Sequence, residues 1–118
     1  AHVMRVMEYG KTMDEKIVGV LHDVVEDHPV EFSLDFLRNE GFPEYIVFAI
    51  SCLTKFDPDE SYDEFVKRTE RSPLAVAVKL NDLRDNMDLR RVTGELVPKD
   101  IKRFNKYLKA YHYLIDKY

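Results

Sequence analysis

The chain has 118 residues, 45% of them hydrophobic, with 18 Lys and Arg against 22 Asp and Glu for a net charge of -4. That is enough apolar material for one folded domain over residues 1–118 and too much for a disordered tail, and the acidic balance argues against nucleic acid, whose binding needs a basic surface. A lone cysteine excludes an internal disulfide and a cysteine-based zinc site, and the sequence has no apolar run of about 18 residues to span a membrane, so a soluble cytoplasmic domain is expected.

Helical punctuation runs along the chain. His2, Met4, Val6 and Met7 already follow helical spacing with no cap before them, so a stretch of N-terminal sequence is expected to be missing. Thr12-Met13-Asp14-Glu15 has the form of a capping box, followed by Ile17, Val18, Val20, Leu21, Val24 and Val25 at helical spacing. Pro29 ends that helix, because the residue before a proline avoids the α region. Ser33 is placed to cap a short helix, Leu34 to Asn39, with Gly41 as its stop. Pro43 suits the first turn of the next, which carries Ile46, Val47, Ala49, Ile50 and Leu53 and in which Cys52 is expected to be buried. Lys55 to Glu60 reads as a polar loop.

Ser61-Tyr62-Asp63-Glu64 repeats the capping-box pattern and opens a helix to about Thr69. Ser72-Pro73 starts another, whose residues Leu74 to Leu80 are apolar almost all round, as in a helix central to a core. Val76-Ala77-Val78 has the composition of a strand but no alternating neighbour to pair with. Asp88 to Val97 is expected to be a loop. Pro98 then begins a long last helix with an apolar stripe of Phe104, Tyr107, Leu108, Tyr111, Leu114, Ile115 and Tyr118, part of which suits a homodimer as readily as the core. The fold expected is a single all-α domain of six or seven helices.

Two clusters of polar residues interrupt the apolar pattern. Leu21-His22-Asp23-Val24-Val25-Glu26-Asp27 puts an imidazole and three carboxylates beside a core face, where charges need partners. His22 and Glu26 are four apart, as are Asp23 and Asp27, so each pair shares a line of the helix. An adjacent His-Asp pair offers one nitrogen and one oxygen to a divalent ion, with Glu26 and Asp27 one turn on, facing its water. The second cluster is Lys79-Leu80-Asn81-Asp82-Leu83-Arg84-Asp85-Asn86, in which Asp82 and Asn86 share a face with Lys79 nearby. A carboxylate ending so apolar a helix must be hydrogen-bonded, paired or metal-bound.

Together with His2, these residues resemble the HD-domain phosphohydrolases, in which a first His, a His-Asp pair and a distant Asp bind one divalent metal. The closer resemblance is to the RelA/SpoT-type alarmone hydrolases and their small stand-alone relatives. It rests on His22-Asp23-Val24-Val25-Glu26-Asp27 and on Lys79-Leu80-Asn81-Asp82 with Asn86, supported by Arg38-Asn39-Glu40-Gly41-Phe42-Pro43, Leu53-Thr54-Lys55, Ser61-Tyr62 and Asp85-Asn86-Met87-Asp88-Leu89. The chain has His2-Val3 where the family usually has His-Pro. Leu83 stands where alarmone hydrolases commonly have a basic residue, with Arg84 one position later.

The resemblance implies an HD-domain helical bundle with His2, His22, Asp23 and Asp82 as metal ligands. Mn²⁺ is the usual ion of that branch, and a mixed nitrogen and oxygen set also accepts Fe²⁺, Zn²⁺ or Co²⁺. Glu26 and Asp27 would position and deprotonate the attacking water. Asn86 would lie beside a nucleoside, and Lys55, Lys79 and Arg84 are candidate phosphate contacts. The implied reaction removes the 3′-pyrophosphate of guanosine tetra- or pentaphosphate. An HD-type nucleotidase and a non-catalytic nucleotide-binding module are the alternatives. In each case the partner is a small nucleotide, not nucleic acid or a membrane.

Overall fold

Side-chain caps begin most of the helices, at the positions the sequence marks. In the computed structural model, which describes residues 2–118 apart from the side chain of Val3, the order is α1 (His2–Tyr9), α2 (Met13–Asp27), α3 (Leu34–Asn39), α4 (Glu44–Cys52), α5 (Tyr62–Thr69), α6 (Pro73–Asn86) and α7 (Pro98–Ile115). A single 3-10 turn, Leu89–Arg91, sits in the segment expected to be a loop. It forms because Asp88 accepts from the Arg90 amide at 3.0 Å and from the Arg90 guanidinium. All regular structure among the described residues is helical, Val76 to Val78 included.

Thr12, Ser33, Ser61 and Ser72 each accept a backbone amide in the first turn of the helix they precede. Both expected capping boxes make this forward bond only. Glu15 turns its carboxylate to the Thr12 hydroxyl, at 3.2 Å, instead of to the backbone. Gly41 ends α3 with φ at 95°, a left-handed backbone that a side chain would strain.

The buried apolar residues form two clusters, and α6 belongs to both. Ala75 and Val78 join Val6, Val18, Val25, Leu37, Ile46, Val47 and Ile50 in the first. Val76 and Leu83, on another side of α6, join Val66, Ala110 and Leu114 in the second. An apolar surface almost all round is what this double role requires. The third side of α6, at its C-terminal half, carries Lys79, Asp82 and Asp85, all buried, and meets α1 and α2. Cys52 is buried in the first cluster, as expected.

The last helix is less covered than its stripe predicts. Ala110 and Leu114 are buried and Tyr107, Tyr111 and Tyr113 half-buried, but Leu108, Ile115 and Tyr118 are exposed. The reason is that α7 packs chiefly on α6, and one partner covers a narrow stripe.

An arginine and a glycine fix the helices against one another. Arg68 of α5 donates to the carbonyls of Ser51 and Thr54 and forms a forked pair with Glu60, which ties the end of α4 to the loop that carries Lys55. Gly19 of α2 is where α1 comes closest. A Cβ there would stand 3.3 Å from the Met7 Cα and 3.4 Å from its N, against backbone that has no side chain to move aside. Gly19→Val is therefore expected to destabilise the protein by about 1–3 kcal/mol through overpacking. A urea midpoint equal to the parent's would show that α1 does not need this close approach.

Candidate metal centre

Three helices bring their polar residues to one point. His2 comes from the first turn of α1, His22 from the last two turns of α2 and Asp82 from the last two turns of α6. One ligand atom from each of these residues lies within 4.8 Å of the other two. His2 Nε2 is 2.7 Å from Asp82 Oδ1, and His22 Nε2 is 3.9 Å from the same oxygen. Asp23 stands at the edge. Its Oδ1 is 3.4 Å from His22 Nε2, but it lies outside the mutually close set.

Each ligand is held from behind by another group. His22 Nδ1 donates to the Gly19 carbonyl at 2.7 Å, which makes Nε2 the nitrogen with the free lone pair. That nitrogen is buried and has no hydrogen-bond partner, the state that chain folding normally avoids. His2 Nδ1 donates to the Asp85 carboxylate, which turns Nε2 toward Asp82. Asp82 Oδ2 accepts from the Lys79 ammonium at 3.1 Å, and Asn86 Nδ2 reaches Asp82 Oδ1 at 3.4 Å. Two imidazole nitrogens and a carboxylate oxygen, each fixed by a second interaction, fit a divalent cation of intermediate hardness.

The charges act on one another strongly. Burial alone would raise the Asp82 carboxyl, but His2, His22 and Lys79 together hold it well below the usual carboxylate range. Hydrogen bonding to Asp82 raises the His2 imidazole despite partial burial. For His22 burial opposes the charged ring, yet the Asp82 and Asp23 carboxylates outweigh it and leave the ring raised. A cation at this site would compete with protons for these rings, and its binding would weaken as the solution is acidified.

Other site residues expected from the sequence fall in different places. Glu26 is exposed at the edge of the cluster. Desolvation first, then the Asp23 charge, lift its carboxyl above the ordinary glutamate value. Asp27 is exposed at the end of α2. Asn86 borders both Asp82 and a cleft of about 430 Å³ that Asp88, Arg91, Arg103, Phe104 and Tyr107 also line. Lys79 is turned inward, with its ammonium 5.0 Å from the Phe65 ring centre and 5.4 Å from that of Tyr62. Lys55 is exposed on the loop after α4, where its charge acts on Glu60. Arg84 points to the far side of α6, its guanidinium 4.7 Å from the Tyr9 ring centre.

Asp85 belongs to the second cluster and to the resemblance, but sequence reasoning gives it no role. It is fully buried and takes His2 on one oxygen and Arg5 on the other at 2.6 Å, with Arg91 3.3 Å away. These partners hold it below the usual carboxylate range against the effect of burial. The available signal was its spacing: three residues after Asp82 on a helix, a side chain lies on the same face. No known family model matches the chain, and no curated protein matches it.

Proposed function

We propose that this protein is a metal-dependent phosphohydrolase acting on a nucleotide, and that it removes the 3′-pyrophosphate of guanosine tetraphosphate. The observation that carries the reading is the convergence of His2, His22 and Asp82 from three helices, with the His22 Nε2 lone pair buried and unmatched. The resemblance to the alarmone hydrolases supplies the substrate.

His2, His22 and Asp82 would hold the ion, Mn²⁺ by resemblance, with Asp23 beside them. When bound, such an ion supplies Lewis acidity to a phosphoryl oxygen and acidifies water. The chain's own residues do the rest. Glu26, whose carboxyl is raised by desolvation and by the Asp23 charge and so is the more basic for it, accepts the proton of the attacking water, and Asp27 helps to orient it. Lys79 does not reach solvent; its part is to fix Asp82 Oδ2 so that Oδ1 faces the two imidazoles. Asn86 stands between the ligands and the cleft of about 430 Å³, whose lining residues Phe104 and Tyr107 would meet a nucleobase and whose Arg91 and Arg103, paired with Asp85 and Asp100, would meet phosphates.

The direct test is incubation with Mn²⁺ and guanosine tetraphosphate, with release of pyrophosphate as the readout. A panel of nucleoside monophosphates run beside it separates the nucleotidase alternative. Glu26→Gln is expected to lower kcat by about 10²–10⁴-fold, the usual contribution of a general base, and to leave Mn²⁺ affinity unchanged. Full turnover by this variant would remove Glu26 from the mechanism.

A further inference from the structure

Arg84, like Lys55, is a candidate phosphate contact that the proposed reaction leaves unused, and it borders a different feature of the fold. Two positions from Asp82 on α6, it is turned about 200° around the helix axis from the metal ligands. It borders a second cavity, of about 460 Å³, between α6, α7 and the segment joining α1 to α2. That volume is in the range of small-molecule sites, about 300–1,000 Å³.

The walls of this cavity are chemically divided. Val76, Ala77 and Leu80 of α6 form an apolar floor and Tyr111 of α7 an aromatic side. Asn81 is more than nine-tenths buried as a residue and borders the cavity. Its side-chain amide carries both a donor and an acceptor that a ligand could meet. Two cations, Lys11 and Arg84, stand at the rim, and neither has a carboxylate within salt-bridge distance among the described residues. The Glu15 carboxylate also borders the cavity and receives the Thr12 hydroxyl, so the three rim charges sum to one positive charge.

We propose that this cavity is a second ligand site, separate from the metal centre, for a small anion that carries a flat ring. The ring lies on the α6 floor against Tyr111, its polar edge meets the Asn81 amide, and its phosphate, sulfonate or carboxylate is held by Arg84 and Lys11. The single net positive charge selects an anion of low charge, unlike the polyphosphate proposed for the metal side.

The site does not depend on the proposed hydrolysis, and its test is independent of it. The probe is the aromatic sulfonate 8-anilinonaphthalene-1-sulfonate, followed by fluorescence titration of the full chain, with circular dichroism to confirm that each variant is folded. One dye per chain is expected. Arg84→Glu should weaken binding by about tenfold or more, the scale of one charged hydrogen bond, and Ala77→Trp should abolish it by filling the floor. Glu26→Gln, at the metal side, and Lys102→Glu, an exposed charge change on α7, should leave it as in the parent. Absence of dye binding overturns the proposal. So does parent-like binding by a folded Arg84→Glu protein, or equal weakening by Lys102→Glu, which would mark general surface attraction. Should Ala77→Trp fail to fold, the Arg84→Glu result decides.

Discussion

Alanine in place of Asp82 is expected to abolish binding of Mn²⁺ and to destabilise the protein by about 3–5 kcal/mol, the cost of breaking a buried ion pair from one side. The two effects have one origin. Asp82 Oδ1 faces His2 Nε2 at 2.7 Å, and Oδ2 faces the Lys79 ammonium at 3.1 Å. Lys79 is only 7% exposed. Without the carboxylate its charge is left with the faces of Tyr62 and Phe65, which cannot replace an anion. Urea denaturation measures the stability and isothermal titration the metal. The double variant Asp82→Ala, Lys79→Met separates the two, because it should recover most of the stability and none of the metal binding. An Asp82→Ala protein as stable as the parent would show that Lys79 finds another partner.

The same carboxylate predicts a direction for acid unfolding. Its pKa is lower in the folded protein than in the unfolded chain, where an aspartate titrates near about 3.9. The stability it contributes is therefore fully present above that value and is lost as pH falls through the lower, folded pKa. The Asp82→Ala protein should show a shallower loss of stability below about pH 4 than the parent.

Asparagine in place of Asp85 is expected to lower Mn²⁺ affinity by about 10–100-fold, the usual effect of removing the group that orients a histidine ligand. The asparagine keeps the volume and loses the charge that receives the Nδ1 proton of His2. The His2 ring is then free to turn, and Arg5 and Arg91 lose their common anion. Titration with Mn²⁺ gives the affinity. The visible absorption of the Co²⁺-loaded protein reports the ligand geometry directly, and it should change in this variant. Unaltered affinity and spectrum would mean that helix packing alone orients His2.

Much of this architecture is legible in the residues themselves. The starts of α2, α3, α5 and α6 are written in Thr12, Ser33, Ser61 and Ser72, because a cap is a local bond between neighbours in sequence. The central place of α6 can be read from its nearly continuous apolar surface. His22 and Asp82 are marked by chemistry that a core does not otherwise tolerate, and His2 by the resemblance. What escapes depends on direction and distance. Arg84 is a candidate phosphate contact by the resemblance, but two positions from Asp82 on a helix it faces away from that residue. Lys79 lies on the correct face, yet nothing in the sequence says that Tyr62 and Phe65 close over it. Asp85 is hidden because its partners, His2 and Arg5, lie 83 and 80 residues away. The exposure of Tyr118 and Ile115 depends on how far α6 reaches beneath α7, which spacing within α7 cannot tell.

The close approach of α1 to Gly19 has a consequence for how cation binding is felt by the chain. α1 has Val6 buried in the first core cluster. It is ordered by docking on α2 and α6, and it carries the first histidine. Fraying of α1 and release of the proposed ion would then be the same event seen from two sides, and the concentration of free cation would become a control on local unfolding. Amide protons of α1 would slow their exchange with solvent as the ion is added, while those buried deep in α6 would follow the stability of the whole molecule.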